Sequence, residues 1–198
     1  MSDILELDIT LKGSKPKIWR RVLVPSDFIF HELHYIIQFA MGWTSSHLHQ
    51  FITGKNDIYI GIPHEDDWIE LVDSRKTKLS EYLGQPKDKV VYEYDFGDSW
   101  EHEVVVKEVL AKETGRSYPI CTDGKGACPP EDVGGVWGYA DLLEKLKKSG
   151  TDEYEEMLQW LGDDFDPEKL DLEGTNRRYF KNFKKEMKEW DKLAYDDL

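Results

Sequence analysis

Val90, Tyr92, Tyr94 and Phe96 alternate with Val91, Glu93 and Asp95, and after Gly97-Asp98 the alternation returns through Trp100, His102, Val104 and Val106. A period of two on both sides of a short turn is incompatible with a helix. It commits the segment to a hairpin with one apolar face, which some other part of the chain must cover. The same signature opens the chain: Leu5, Leu7, Ile9 and Leu11 alternate with Glu6, Asp8 and Thr10. Gly13-Ser14-Lys15-Pro16 then breaks the run, and a second strand over Lys17 to Val24 completes a hairpin before the turn residues Pro25-Ser26-Asp27.

A cover for these faces follows at once. Phe30, Leu33, Ile37, Ala40 and Met41 share one face of a helix that Gly42 is placed to end in a left-handed conformation. Strands over His47 to Thr53 and Ile58 to Ile62 flank the turn Gly54-Lys55-Asn56-Asp57, and a short helix is expected from Thr77 to Leu83. The order strand, strand, helix, strand, strand admits a ubiquitin-like grasp. From Ala111 to Trp137 no period is visible, only Gly, Pro, Cys and acidic residues, which reads as an ordered loop. Helices are expected over Gly138 to Ser149, Asp152 to Leu161 and Thr175 to Leu193, with Asp152 and Glu155 at capping-box spacing in the second. The expected class is therefore α+β: a mixed or antiparallel sheet of hairpins with one early helix, followed by a C-terminal group of helices. A single domain over 1–198 accounts for it, strand-rich over 1–110, looped over 111–137 and helical over 138–198.

Charge limits the partners. With 26 Lys and Arg against 40 Asp and Glu, the 198-residue chain carries −14 at neutral pH, so its overall field disfavours nucleic acid and anionic membranes. No apolar run approaches the length of a membrane span and the N-terminal segment lacks a signal peptide's apolar stretch, so a cytoplasmic protein without membrane contact is expected. Two basic islands interrupt the acidic background: Lys12, Lys15, Lys17, Arg20 and Arg21 on the first hairpin, and Arg177, Arg178, Lys181, Lys184, Lys185 and Lys188 on the last helix. On that helix Phe180, Phe183, Met187 and Trp190 form an apolar stripe, leaving the basic side chains to offer charge to a protein or nucleic acid. The alternative is a solvated face balancing the acidic run Asp163, Asp164, Asp166 and Glu168.

Three constellations carry chemistry. In a strand, His47 and His49 would share one face at a spacing that suits two imidazoles on one metal ion. Asp95, Asp98 and His102 gather around the hairpin turn, where they could hold a divalent cation or serve as acid and base. Glu131 and Asp132 follow Cys128-Pro129-Pro130, a rigid approach to two glycines, and either could act as a general base. Cys121 and Cys128 are expected as reduced thiols. A zinc site pairing them with His47 and His49 would need a gap wider than that of a zinc knuckle. No nucleophile elbow, phosphate-binding Gly loop or dinucleotide fingerprint is present.

Several blocks taken together resemble the Ri-plasmid ORF-three-like family: Ile18-Trp19-Arg20-Arg21-Val22, Leu33-His34 with Ile37-Gln38, Met41-Gly42-Trp43 leading to Ser46-His47-Leu48-His49-Gln50-Phe51, Tyr94-Asp95-Phe96-Gly97-Asp98-Ser99-Trp100-Glu101-His102, and Cys128-Pro129-Pro130-Glu131-Asp132-Val133-Gly134-Gly135. Trp160-Leu161-Gly162 and Phe165-Asp166-Pro167-Glu168 extend the likeness to about Asn176. The resemblance implies a protein carried on plasmids and chromosomes, some relatives travelling with insertion elements under a resolvase label. No serine- or tyrosine-recombinase constellation is identifiable here, so that label does not transfer. What the resemblance adds is that His47, His49, Asp95, Asp98, His102, Glu131 and Asp132 all fall in signature blocks. Two functions are then expected to compete: a non-catalytic binding module, an accessory of mobile elements, or a metal-dependent hydrolase in which the His/Asp cluster activates water.

Overall fold

The computed structural model describes residues 2–54, 57–65, 67–162 and 165–195. Strand β1 (Ile4–Leu11) buries Leu5, Leu7, Ile9 and Leu11 and turns Glu6, Asp8 and Thr10 to the other face, as their alternation requires. It pairs antiparallel with β2 (Trp19–Pro25), Asp8 opposite Arg21. Helix α1 (Phe30–Met41) starts where the Glu32 carboxylate accepts the Ile29 N–H at 3.0 Å, and ends at Gly42, whose φ is 109°. Then come β3 (His49–Thr53), β4 (Tyr59–Gly61), β5 (Leu71–Asp73), a single 3₁₀ turn over Leu79–Glu81, β6 (Lys89–Tyr94) and β7 (Trp100–Leu110). With β8 (Ile120–Lys125) these strands form one eight-stranded sheet of order β5-β4-β3-β6-β7-β1-β2-β8. Among the described residues only β4 and β5 run parallel, so the sheet is mixed.

The eighth strand, β8 (Ile120–Lys125), lies inside the segment expected to be a loop. Its pattern was hidden because it is an edge strand with a bulge opposite Arg21 and Val22, and its residues Thr122, Asp123 and Gly124 do not alternate. Asn176 covers its outer side: the Asn176 carboxamide accepts the Cys121 N–H at 2.9 Å and donates to the Cys121 carbonyl at 2.7 Å.

Helices α2 (Gly135–Leu146) and α3 (Asp152–Leu161) follow, α2 beginning three residues before the expected start. Thr151, not Asp152, caps α3 by accepting the Tyr154 N–H. The expected last helix is composite: α4 (Leu172–Thr175) runs into a π turn over Asn176–Phe180, then α5 spans Phe183–Tyr195. Lys55, Asn56, Asp163 and Asp164, named above in a turn and an acidic run, lie outside the described residues.

This arrangement explains why every residue of α1 is buried although its sequence shows one strong apolar face. The sheet covers one side, with Phe30 against Phe51 and His34 bonded to the Tyr92 hydroxyl. The C-terminal helices cover the other. Phe39 stacks on Tyr179 at 4.6 Å and meets Trp190 edge-on at 4.9 Å, and the His31 and Tyr35 side chains contact Asp191. The predicted stripe on the last helix thus docks on α1, Phe180 and Phe183 buried outright. Among the described residues no helix is long and apolar enough to cross a membrane.

Candidate functional site

Three loops meet at one end of the sheet. The first leaves α1 through Trp43 to Leu48, the second is the β6–β7 turn from Asp95 to Ser99, and the third runs from Pro129 to Gly135 into α2. Trp43 binds the first to the third, its indole N–H donating to the Pro129 carbonyl at 2.9 Å. Tyr94 binds all three: its hydroxyl accepts the Ser46 N–H at 2.9 Å and donates to Glu131 Oε1 at 2.5 Å. Burial, reinforced by Glu131, holds that phenol well above the ordinary tyrosine range. The second and third are locked by Asp98, whose carboxylate accepts the Gly134 N–H at 3.1 Å, and by Gly135, where a Cβ would stand 2.4 Å from the Asp98 carbonyl oxygen. Ser45, Asp95, Ser99 and Asp132 hold left-handed backbone with φ of 58, 56, 51 and 59°, a conformation that non-glycine residues adopt at a cost unless their surroundings enforce it.

At the junction, His47 Nε2 lies 3.7 Å from Asp95 Oδ2 and 3.3 Å from Asp132 Oδ1. The ligand atoms of these three residues all fall within 4.8 Å of one another. One carboxylate oxygen of Asp95 is used locally, Oδ1 accepting the N–H groups of Gly97 at 3.0 Å and Asp98 at 3.4 Å. Asp95 is 9% exposed, His47 half-buried and Asp132 open to solvent.

The other candidates go elsewhere. His47 precedes β3 instead of opening it, because the chain bends after the left-handed Ser45, so His47 and His49 do not share a strand face. His49 lies flat on His34, ring centroids 3.5 Å apart, and burial lowers it to about 3. His102 is buried under Trp43 and Tyr92, its Nδ1 3.1 Å from the Trp100 carbonyl, and is likewise held at about 3 by burial. Asp98 serves the loop junction. Glu131 is saturated by Tyr94 and by the Thr44 hydroxyl at 2.6 Å. Cys121 and Cys128 are free thiols, and among the described residues neither joins His47 and His49 in a metal-ligand group.

The first basic island disperses. Arg20 is buried with four carbonyl partners, Arg21 pairs with Asp8 at 2.7 Å, and Lys12 with Glu101 at 2.5 Å. On the last helices Arg177, Arg178, Lys181, Lys184, Lys185 and Lys188 remain exposed. Lys184 nonetheless pairs with the buried Glu32 and covers the Phe28 ring, and Lys185 lies 3.5 Å from Glu189.

Beside the junction is a feature the sequence did not single out. Leu48 and Phe96, chain neighbours of His47 and Asp95, join Trp68, Ile69, Ile62 and Leu71 around a cavity of about 200 Å³, with His49 and Asp67 also on its walls. Leu48, Trp68, Ile69 and Phe96 are each at least half exposed. Their clustering could have been suspected only from Trp68-Ile69 lying between acidic residues, where no core period calls for them.

Fold and site define a class: an α+β protein whose single mixed sheet wraps a fully buried helix and presents a loop-borne imidazole and carboxylate cluster at one end. The profile of the plasmid pRiA4b ORF-3-like proteins matches residues 3–174, and the chain belongs to that family. The uncharacterized protein y4hQ of Sinorhizobium fredii is 34% identical over 179 residues, covering 89% of this chain and 91% of the relative. The crystal structure of MM3350, a protein of unknown function from Methanosarcina mazei Go1, is similar at 44% identity with a TM-score of 0.80. That match covers 87% of this chain and 96% of the other.

Proposed function

We propose that this chain is a non-catalytic, cytoplasmic protein-binding module whose groove takes an extended partner segment carrying an apolar side chain flanked by Lys or Arg. The observation that carries the reading is the gathering of Leu48, Trp68, Ile69 and Phe96 around one cavity, since exposed apolar groups clustered in this way mark contact surfaces. The basic flank follows from charge: Asp67 lies on the wall, Asp95 and Asp132 stand beside it, and the chain carries −14. A protein partner is favoured over nucleic acid because the basic residues of the last helix are interleaved with Glu186, Glu189 and Asp191, and Lys184 is already paired. A binding role is favoured over catalysis because, of the two candidate bases, Glu131 is bound by Tyr94 and Thr44 and Asp132 is engaged with the His47 imidazole at 3.3 Å. The plasmid-derived family name supports an accessory role on mobile elements.

Selection from a random peptide library tests the proposal. Binders should share an aliphatic or aromatic anchor beside a basic residue, and Trp68→Ala with Phe96→Ser should weaken the best of them by about tenfold or more. Peptides that bind wild type and variant equally, or a library that yields none, would overturn it.

A further inference from the structure

We propose that His47, Asp95 and Asp132 form a binding site for one first-row divalent transition-metal ion, of the zinc or manganese kind. This inference rests on a different observation from the groove but shares Asp95 and Asp132 with it, so that with the ion bound the acidic flank of the groove is Asp67. The ligands come from three separate loops, yet one imidazole nitrogen and two carboxylate oxygens converge within 4.8 Å. Ligands at about 2.0–2.2 Å from a common centre would be spaced in this way after modest contraction. A mixed nitrogen and oxygen set suits zinc or manganese better than calcium, which takes six to eight oxygens, or magnesium, which keeps most of its water.

A second observation points the same way. The Asp95 side chain is 12% exposed and is fixed by its Oδ1, which accepts two backbone N–H groups, so that its Oδ2 is left directed at His47 Nε2, 3.7 Å away and beyond hydrogen-bond range. Among the described residues no Lys or Arg pairs with Asp95, Asp98, Glu131 or Asp132, and the His47 imidazole lies between two of these carboxylates. A divalent ion would neutralise both acids and occupy the free Oδ2. Three protein ligands leave coordination positions open on the Asp132 side, which faces solvent.

The test uses the full chain, stripped with chelator and titrated with zinc and, separately, manganese by calorimetry. One ion per chain is expected. His47→Ala and Asp132→Asn alter solvent-accessible residues at the loop junction and should each weaken binding by about tenfold or more, whereas Asp152→Asn, at an exposed carboxylate that begins α3, should leave it unchanged. Pulsed electron paramagnetic resonance of the manganese form should show one coordinated imidazole nitrogen that is lost in His47→Ala. Absence of saturable zinc or manganese binding, binding indifferent to both variants, or binding of calcium or magnesium alone would overturn the site. In the first case the three residues make a polar contact within the loop junction and nothing more. Because the peptide selection can be run with chelator present, failure of the groove and failure of the metal site are separately visible.

Discussion

His102 and His34 are the residues at which burial most directly sets a solution property. His102 packs among Trp43 and Tyr92, and His34 sits between the Tyr92 hydroxyl and Ser45 Oγ, 2.8 Å from each. Burial holds His102 at about 3 and His34 well below the ordinary histidine value of 6.5, so both are neutral in the folded chain. The unfolded chain takes up a proton at each as pH falls below about 6.5, and the folded chain does not. Their contribution is therefore complete above that pH and is lost progressively as pH falls toward 3, by up to about 1.4 kcal/mol per pH unit for each histidine. Denaturant midpoints measured from pH 7 to pH 5 should fall, and His102→Phe should flatten the slope by about one proton. An unchanged slope in that variant would show that His102 is charged or accessible in the native state. Arg20 illustrates the opposite use of burial. Arg20 is 1% exposed, pairs with no carboxylate among the described residues, and donates to the carbonyls of Trp19, Ala40, Lys125 and Gly126. It joins β2, the end of α1 and β8, work that a five-donor planar group does and an ammonium does not.

At the scale of elements, the decisive contact is between the β6–β7 turn and the start of α2. Gly135 has a φ of 67° and no room for a Cβ, which would meet the Asp98 carbonyl oxygen at 2.4 Å, while Asp98 itself accepts the Gly134 N–H. Gly135→Ala should separate the two loops, lowering stability by about 2–3 kcal/mol from strain and overpacking. Because Asp95 and Asp132 stand on the separated loops, zinc affinity should fall in the same variant even though no ligand is changed. A variant of wild-type stability and wild-type zinc affinity would show that this glycine does not set the junction. The local signals that built the elements were readable: alternation in β1, β6 and β7, the glycine that ends α1, and the apolar stripe of α5. The start of β3 was not, since whether a strand begins at His47 or His49 depends on a left-handed Ser45 stabilised by Gln38, seven residues away, whose side-chain oxygen accepts its N–H at 2.8 Å.

For the whole molecule, α1 is a central helix that only the C-terminal segment completes. The family profile ends at residue 174, yet Tyr179, Phe183 and Trp190 close over Phe28 and Phe39, and Asp191 bonds to Tyr35 and His31. A chain stopped after Phe180 should expose the outer face of α1, bind a hydrophobic dye such as ANS, and unfold with reduced cooperativity. Unfolding as sharp as that of the full chain, without dye binding, would show that the sheet and α1 are self-sufficient. The first basic island is dispersed at the same scale. Arg20, Arg21 and Lys12 are drawn into carbonyl or carboxylate contacts and Lys184 pairs with Glu32, while Arg177, Arg178, Lys181, Lys185 and Lys188 stay exposed on the last helices.

The sequence by itself determined the α+β class, most strand and helix positions and the residues from which a site could be assembled, because hydrophobic period, caps and turns act over a few neighbours. It did not determine that His47 would meet Asp95 and Asp132 while His49 and His102 sank into the core, nor that Trp68 would reach Leu48 and Phe96. Those outcomes join residues tens of positions apart in the chain. They follow from which face of each strand the central helix covers and how the three loops lock together, and only the assembled sheet decides that.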